Sequence, residues 1–170
     1  EDENGSTHVT IKSGSQEEVT YSNAEFLKSK LTFMKDENGQ WRCLDKDNNM
    51  VMAEWENEIM HASAKVLCED QPRGFSILNV GFGLGIIDAM LQTYKPRRAG
   101  IIEPHHDAIA FMREQGWDQR AGVEIFEGTW EDFLQPENDE DGSIAMKLGV
   151  FDAIYFDTYS QDYQGTCGFA

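Results

Sequence analysis

Residues 75–88 constrain this chain more than any other stretch. They read Phe-Ser-Ile-Leu-Asn-Val, then Gly-Phe-Gly-Leu-Gly, then Ile-Ile-Asp. The run from Phe75 to Val80 is short, apolar and rich in β-branched and aromatic residues, the pattern of a buried strand. Gly81, Gly83 and Gly85 follow at once, and glycines there permit a tight turn and close approach of backbone to a ligand. Ile86, Ile87, Met90, Leu91 and Tyr94 then recur at helical spacing. Strand, glycine turn and helix in that order open a nucleotide-binding βαβ unit. Such a unit carries an acidic residue about 20 positions on, at the end of its next strand, for ribose hydroxyls. Glu103 closes Ala99-Gly-Ile-Ile-Glu in that place.

The spacing of the glycines narrows the ligand. The dinucleotide fingerprint is Gly-x-Gly-x-x-Gly. Here the third glycine comes one place early, and Ile86 stands where that fingerprint has glycine. Gly-x-Gly-x-Gly is similar to the form found in S-adenosylmethionine-dependent methyltransferases, whose ligand has no pyrophosphate to seat on the helix N-terminus. The alternative is an ordinary strand-to-helix turn of an α/β protein.

A chain of 170 residues suffices for one domain with a real core. Its net charge of -17 disfavours nucleic acid as a partner, because a phosphate backbone needs a basic surface. The same charge suits a cationic partner or substrate, or serves solubility alone. Cys43, Cys68 and Cys167 are an odd number without close pairing, which favours a reducing compartment. The expected location is the cytoplasm, with the nucleus as a second possibility. His8, His61, His105 and His106 show no metal-ligand spacing with the cysteines, so no metal is expected. No apolar run has the length of a membrane span.

Residues 1–20 are polar and charged and read as a linker or disordered terminus. Residues 24–33 suggest a short helix with Phe26, Leu27 and Leu31 on one side. Glu37-Asn-Gly and Asp47-Asn-Asn mark turns on either side of a short strand at 41–44. From Val51 onwards Trp55, Ile59, Ala62 and Val66 fall at helical spacing, with Met52 and Met60 as further core candidates. Glu54, Glu56 and Glu58 on such a helix most often form a solvated face. Beyond the glycine turn, a strand at 99–103, a helix at 105–115, a strand at 122–126 and a strand at 149–157 follow. The last is nearly continuously apolar, as a central parallel strand is. Residues 136–143 form an acidic, turn-rich loop. Strands alternating with helices imply a parallel, doubly wound sheet. Right-handed crossovers then gather four loops at the strand carboxyl ends: 81–85, 103–105, 127–131 and 157–159.

Two residues at those ends have competing readings. Asp157 follows a buried strand, where a carboxylate serves a ligand or caps a helix. Trp130 either stacks on an adenine or belongs to the core.

Five blocks in one order settle more than any one of them. They are Val51-Met-Ala-Glu-Trp-Glu with Met60-His-Ala, Leu78-Asn-Val-Gly-Phe-Gly, Ile101-Ile-Glu, Gly128-Thr-Trp-Glu-Asp and Tyr155-Phe-Asp-Thr-Tyr. Together they resemble the guanidino-group methyltransferases. These are guanidinoacetate N-methyltransferase and, more closely, the type IV protein arginine N-methyltransferases that modify the δ-nitrogen. Gly128-Thr-Trp, Phe156-Asp-Thr-Tyr and Phe26-Leu-Lys-Ser-Lys-Leu favour the second. The resemblance runs from about Tyr21 to Tyr163.

The resemblance implies an α/β, Rossmann-like class I S-adenosylmethionine-dependent methyltransferase fold with a parallel sheet. It implies that S-adenosylmethionine is the cofactor. Gly81 and Gly83 form the turn that receives it, and Met60 with Leu84, Gly85, Ile86, Ile87, Asp88 and Ala89 line its pocket. Glu103 takes the ribose hydroxyls, with Pro104 and His105 beside the adenine. Thr129, Trp130 and Glu131 close the adenine side, and Phe33 covers the cofactor. Asp157 borders the cofactor as well. Glu56 and Asp157 are the catalytic carboxylates that bracket the substrate's guanidinium. Two carboxylates suit that group, because a guanidinium is planar and offers five donors in a fixed fork. The implied partner is an arginine-containing protein, for which the family suggests a ribosomal protein, or a small guanidino compound.

The family fold has seven strands and this sequence supplies four, so residues 21–170 read as the N-terminal part of the domain, incomplete at the C-terminus. The sequence opens without methionine and shows no ankyrin repeats, which type IV enzymes tend to carry before this domain. Little or no turnover is expected from this chain by itself, and the fourth strand is expected to be an open sheet edge. Three other readings compete. They are a guanidinoacetate-type enzyme, a non-catalytic cofactor-binding fragment, and an NAD-dependent oxidoreductase, which Ile86 disfavours.

Overall fold

The computed structural model describes residues 23–53, 57–134 and 148–158. Glu56, with its neighbours Glu54 and Trp55, lies outside them. So do the polar terminus 1–20, the acidic loop 136–143, Tyr159 and the last residues from Gln164.

Four parallel strands form the centre: β4 (Ser76–Val80), β5 (Arg98–Glu103), β6 (Val123–Glu127) and β7 (Ala153–Phe156). Their spatial order is β6-β5-β4-β7. All five residues of β4 are buried, which explains its apolar run. Side chains alternate across the sheet. Ile77, Ala99 and Ala153 meet one core, under α2 (Asn57–Cys68) and α3 (Ile86–Thr93), while Leu78, Val80 and Ile102 meet another on the opposite face. A third cluster joins Ile101 to Phe111 and Met112 of α4 (His106–Glu114) and to Trp117 in the 3-10 turn that follows. The doubly wound arrangement is therefore present, with α5 (Trp130–Leu134) after β6.

Three segments depart from the sequence expectation. The helix at 24–33 shrinks to α1 (Asn23–Phe26), and Phe33 lies in a strand, β1 (Thr32–Lys35). That strand pairs antiparallel with β2 (Trp41–Leu44), which pairs with β3 (Met50–Ala53). Asp36 and Asp45 build the two connecting turns, each accepting two backbone N–H groups two and four residues ahead. Residues 51–53, expected to be helical, are thus held as strand by the pairing with β2. Helix α2 starts later and turns a different face inward. Met60, Ala64 and Cys68, four residues apart, are buried, while Ile59 and Val66 are 72% and 83% exposed. Finally, β7 is one of the two outer strands among those described, as the open edge expected for the fourth strand, although its apolar run suggested a central strand, and Ile154 on it is 49% exposed.

Candidate active site

Strand order reverses at β4: its successor β5 lies on one side and β7 on the other. A doubly wound sheet opens its ligand crevice at such a point. Val80 is in register with Ile102 on one side and Phe156 on the other. Gly81, Glu103 and Asp157 therefore leave the sheet side by side. A cleft of about 170 Å³ opens above them. Gly81, Gly83, Glu103, Pro104 and His105 line it, together with Thr129, Trp130 and Glu131 after β6 and Asp157 and Thr158 after β7. Phe26, Leu27, Leu31, Phe33, Val51 and Met52 come from the N-terminal segment and cover it. The four expected loops thus converge, as far as they fall among the described residues.

The glycine turn is pinned from several sides. Gly81 N–H donates to the Ile102 carbonyl (2.9 Å). Asn79 Nδ2 donates to the Gly81 carbonyl (2.9 Å) and to Asp88 Oδ2 (2.8 Å). Glu103 Oε2 accepts from Phe82 N–H and Oε1 from His105 N–H, both at 2.8 Å. The Leu84 N–H points at Met52 Sδ, 3.2 Å away. Gly81 (φ 97°) and Gly83 (φ 56°) adopt left-handed backbone. Their missing side chains matter twice. A Cβ on Gly81 would sit 2.3 Å from the Asp157 carbonyl oxygen, and one on Gly83 2.3 Å from Met52 Sδ.

Glu103 is buried, and burial raises its pKa against the pull of the N–H groups of His105, Phe82 and Gly83. A carboxylate has about four lone-pair sites, so these N–H groups leave capacity for a further donor from the cleft. His105 caps α4: its Nδ1 accepts from Asp107 N–H (3.1 Å), which assigns the ring proton to Nε2. That buried Nε2 makes no hydrogen bond of good geometry, although the Phe26 and Ser29 carbonyls lie near enough to act on it. Burial first, then His106, lowers the His105 pKa. Thr129 is fixed by Asp132, whose Oδ2 accepts from its N–H (2.8 Å) and hydroxyl (2.9 Å). Trp130 is half-buried and meets Phe156 edge-on at 5.6 Å while also facing the cleft. Asp157 is exposed at the mouth. Its N–H donates to the Val80 carbonyl (3.1 Å), and its Oδ2 accepts from the Tyr155 hydroxyl (3.2 Å).

The other described residues implied by the resemblance are not among those that line the cleft. Met60 is packed in the core with Ala64, Ile77 and Leu91. Leu84 and Ile87 are likewise buried, Ile86 packs between two core clusters, and Ala89 is exposed on α3. Gly85 backs onto Phe82 and Trp117. Asp88 is buried against Asn79. The covering residues Leu27, Cys43, Val51 and Met52 line the cleft without having been singled out for it. The signal available was the pair of turns flanking 41–44, which marks a three-stranded meander.

Burial pushes the Asp88 carboxyl up to about 7, with the Asn79 hydrogen bond opposing. The unfolded carboxyl titrates near pH 4. Between about pH 4 and 7 the folded chain therefore holds more protons than the unfolded chain, and stability falls as pH rises through that window. Glu103, also raised, acts in the same direction. Asp88→Asn keeps an acceptor for Asn79 and removes one titration. Its urea-unfolding free energy should decline less between pH 5 and 8 than the wild type's. Parallel pH profiles for the two proteins would reject a buried, titrating Asp88.

The described lining contains three carboxylates, Glu103, Glu131 and Asp157, and no lysine or arginine. A phosphate-bearing cofactor finds no cationic side chain there, whereas a cationic ligand is favoured. Backbone packed close at the glycine turn, a buried carboxylate with spare lone pairs and an apolar cover fit a sulfonium-bearing nucleoside.

Comparison with known proteins places this geometry. A family model described as guanidinoacetate N-methyltransferase matches residues 23–166. A protein named protein arginine N-methyltransferase 2 from Aspergillus oryzae is 42% identical over 142 residues, covering 84% of this chain and 31% of the relative. Proteins of the same name from Yarrowia lipolytica and Saccharomyces cerevisiae are each 37% identical. The first covers 93% of this chain and 32% of the relative, the second 89% and 35%. The chain thus spans about a third of the length of these curated relatives.

Proposed function

The chain belongs to the guanidinoacetate N-methyltransferase family, and on that premise we propose that it is an S-adenosylmethionine-dependent N-methyltransferase acting on a guanidino group, the δ-nitrogen of arginine in a protein. The observation that carries this reading is the meeting of Gly81, Glu103 and Asp157 in one cleft at the strand reversal. The relatives' names favour arginine in a protein; the family description favours a small guanidino compound as the second reading. Methyl transfer to an arginine-containing peptide, compared with guanidinoacetate, separates the two.

S-adenosylmethionine, when bound, supplies a methyl group on a sulfonium. In this proposal Glu103 accepts hydrogen bonds from the ribose hydroxyls, and Thr129, Trp130 and His105 enclose the adenine. Phe33 covers the cofactor from the N-terminal segment. At the mouth, Asp157 holds the guanidinium by charge-assisted hydrogen bonds. Its carboxylate, which accepts the Tyr155 hydroxyl at Oδ2 and has lone pairs to spare, takes the proton released as the nitrogen is alkylated. A protonated guanidinium is a poor nucleophile because its lone pairs are delocalised. A carboxylate that localises positive charge away from the attacking nitrogen counters this. Glu56, outside the described residues, is the second carboxylate of the pair. Alignment of donor and acceptor contributes most in such a displacement.

Calorimetry checks the cofactor assignment directly. S-adenosylmethionine should bind and NAD should not. Binding of NAD without S-adenosylmethionine would reject the reading.

A further inference from the structure

Helix α4 carries three handholds for the segment that covers the cleft. Phe33 stacks flat on Phe111, with ring centroids 4.3 Å apart, and Phe26 meets His105 edge-on at 5.4 Å. Between them, Asp107 reaches out from the first turn of α4. Its Oδ2 accepts the Leu31 backbone N–H at 2.8 Å, and its Oδ1 accepts Lys30 Nζ at 2.8 Å. The carboxylate side chain is 11% exposed, whereas the Lys30 side chain is 71% exposed. Leu31 itself is buried and lines the cleft. A backbone N–H bonded to a largely buried carboxylate fixes the chain where it stands, because the Leu31 N–H gives up a charge-assisted bond if the two part. The exposed lysine arm adds little, as surface ion pairs do.

We propose that Asp107 is the positioning residue that holds residues 26–33 over the cofactor end of the cleft. It touches no reacting group and acts through Leu31, which in turn holds the cover. The ring contacts at Phe26 and Phe33 supply area, and Asp107 supplies the directional bond that sets where along α4 the cover sits. Lys30 and His106 reach the Asp107 carboxylate, the His106 ring nitrogen lying 3.4 Å from its Oδ1, and its charge also acts on His105 and Cys43. The consequence for ligand retention rests on the S-adenosylmethionine reading above. The consequence for the cover does not.

Hydrogen exchange by mass spectrometry on the ligand-free chain tests the first consequence. Asp107→Ala should raise exchange of the amides in 26–35 by about 10- to 100-fold, the loss expected for a hydrogen bond to a charged group. Strands β4 and β5 should keep their protection. Asp107→Asn retains a carbonyl oxygen for the Leu31 N–H and should recover most of the protection, and Lys30→Ala should leave it nearly unchanged. The dissociation rate of S-adenosylmethionine should rise in the same order across the variants. Unchanged exchange of 26–35 in Asp107→Ala would overturn the proposal. So would an equal rise in β4 and β5, which would mark a general loss of α4. If S-adenosylmethionine binds no variant and not the wild type, the cofactor reading fails, while the exchange result still decides the role of Asp107.

Discussion

Asp157→Asn is expected to lower methyl transfer by about 100- to 10,000-fold, the usual range for loss of general-base assistance. The fold should tolerate the change. The Asp157 backbone, which packs on Gly81 and donates to Val80, is untouched, and an isosteric change at an exposed side chain typically shifts stability by less than about 0.5 kcal/mol. The loss should fall on turnover more than on cofactor affinity. Glu56→Gln should instead raise the substrate concentration needed for half-maximal rate. If Asp157 merely capped a helix, asparagine would serve as well as aspartate. The assay is methyl transfer to an arginine-containing peptide by the full-length protein, alongside calorimetry for the cofactor. Turnover unchanged in both variants would defeat the two-carboxylate mechanism.

Glu103→Ala should damage the fold as well as the site. Its two oxygens accept the Phe82 and His105 N–H groups in a buried setting. Leaving a buried donor unpaired costs about 1–3 kcal/mol. Removing an acid that burial already disfavours returns some of that. A net loss of about 2–4 kcal/mol is expected, large beside the roughly 5–15 kcal/mol that holds a typical domain. Glu103→Gln keeps one acceptor oxygen and should lose about half as much. Both variants should bind S-adenosylmethionine more weakly. Urea unfolding separates the two effects, and a wild-type midpoint for Glu103→Ala would show that the carboxylate does not clamp the turn.

The parallel unit was legible because its signals are local and redundant. A fully buried strand, a glycine turn and a periodic helix agree on residues 75–93, and Glu103 falls where the next strand ends. Of the N-terminal sheet the middle strand at 41–44 was legible from its flanking turns, but β1 and β3 were not, because strands of four residues carry too few positions to show alternation. Residues 50–53 are strand only because β2 lies beside them, a fact of tertiary context. Helix α2 misled for another reason. Ile59, Ala62 and Val66 make a valid helical stripe, but Met60, Ala64 and Cys68 make another, and only the position of the sheet chooses between them. At the site, strand register brings Gly81, Glu103 and Asp157 together, whereas Met60 falls on the buried stripe of α2 and joins the core.

A glycine-rich turn is ordinarily taken as a record of room kept for a ligand. At Gly81 and Gly83 the room is already filled by the protein, by the Asp157 carbonyl and the Met52 sulfur. Selection on these two positions therefore has a source that does not involve binding. A descendant that had lost its cofactor would still keep Gly81 for as long as it kept β7 where it is, and Gly83 for its left-handed backbone. Across the evolution of this fold, retention of the glycines and of the buried Glu103 clamp dates the architecture, and retention of the exposed carboxylate at 157 dates the chemistry.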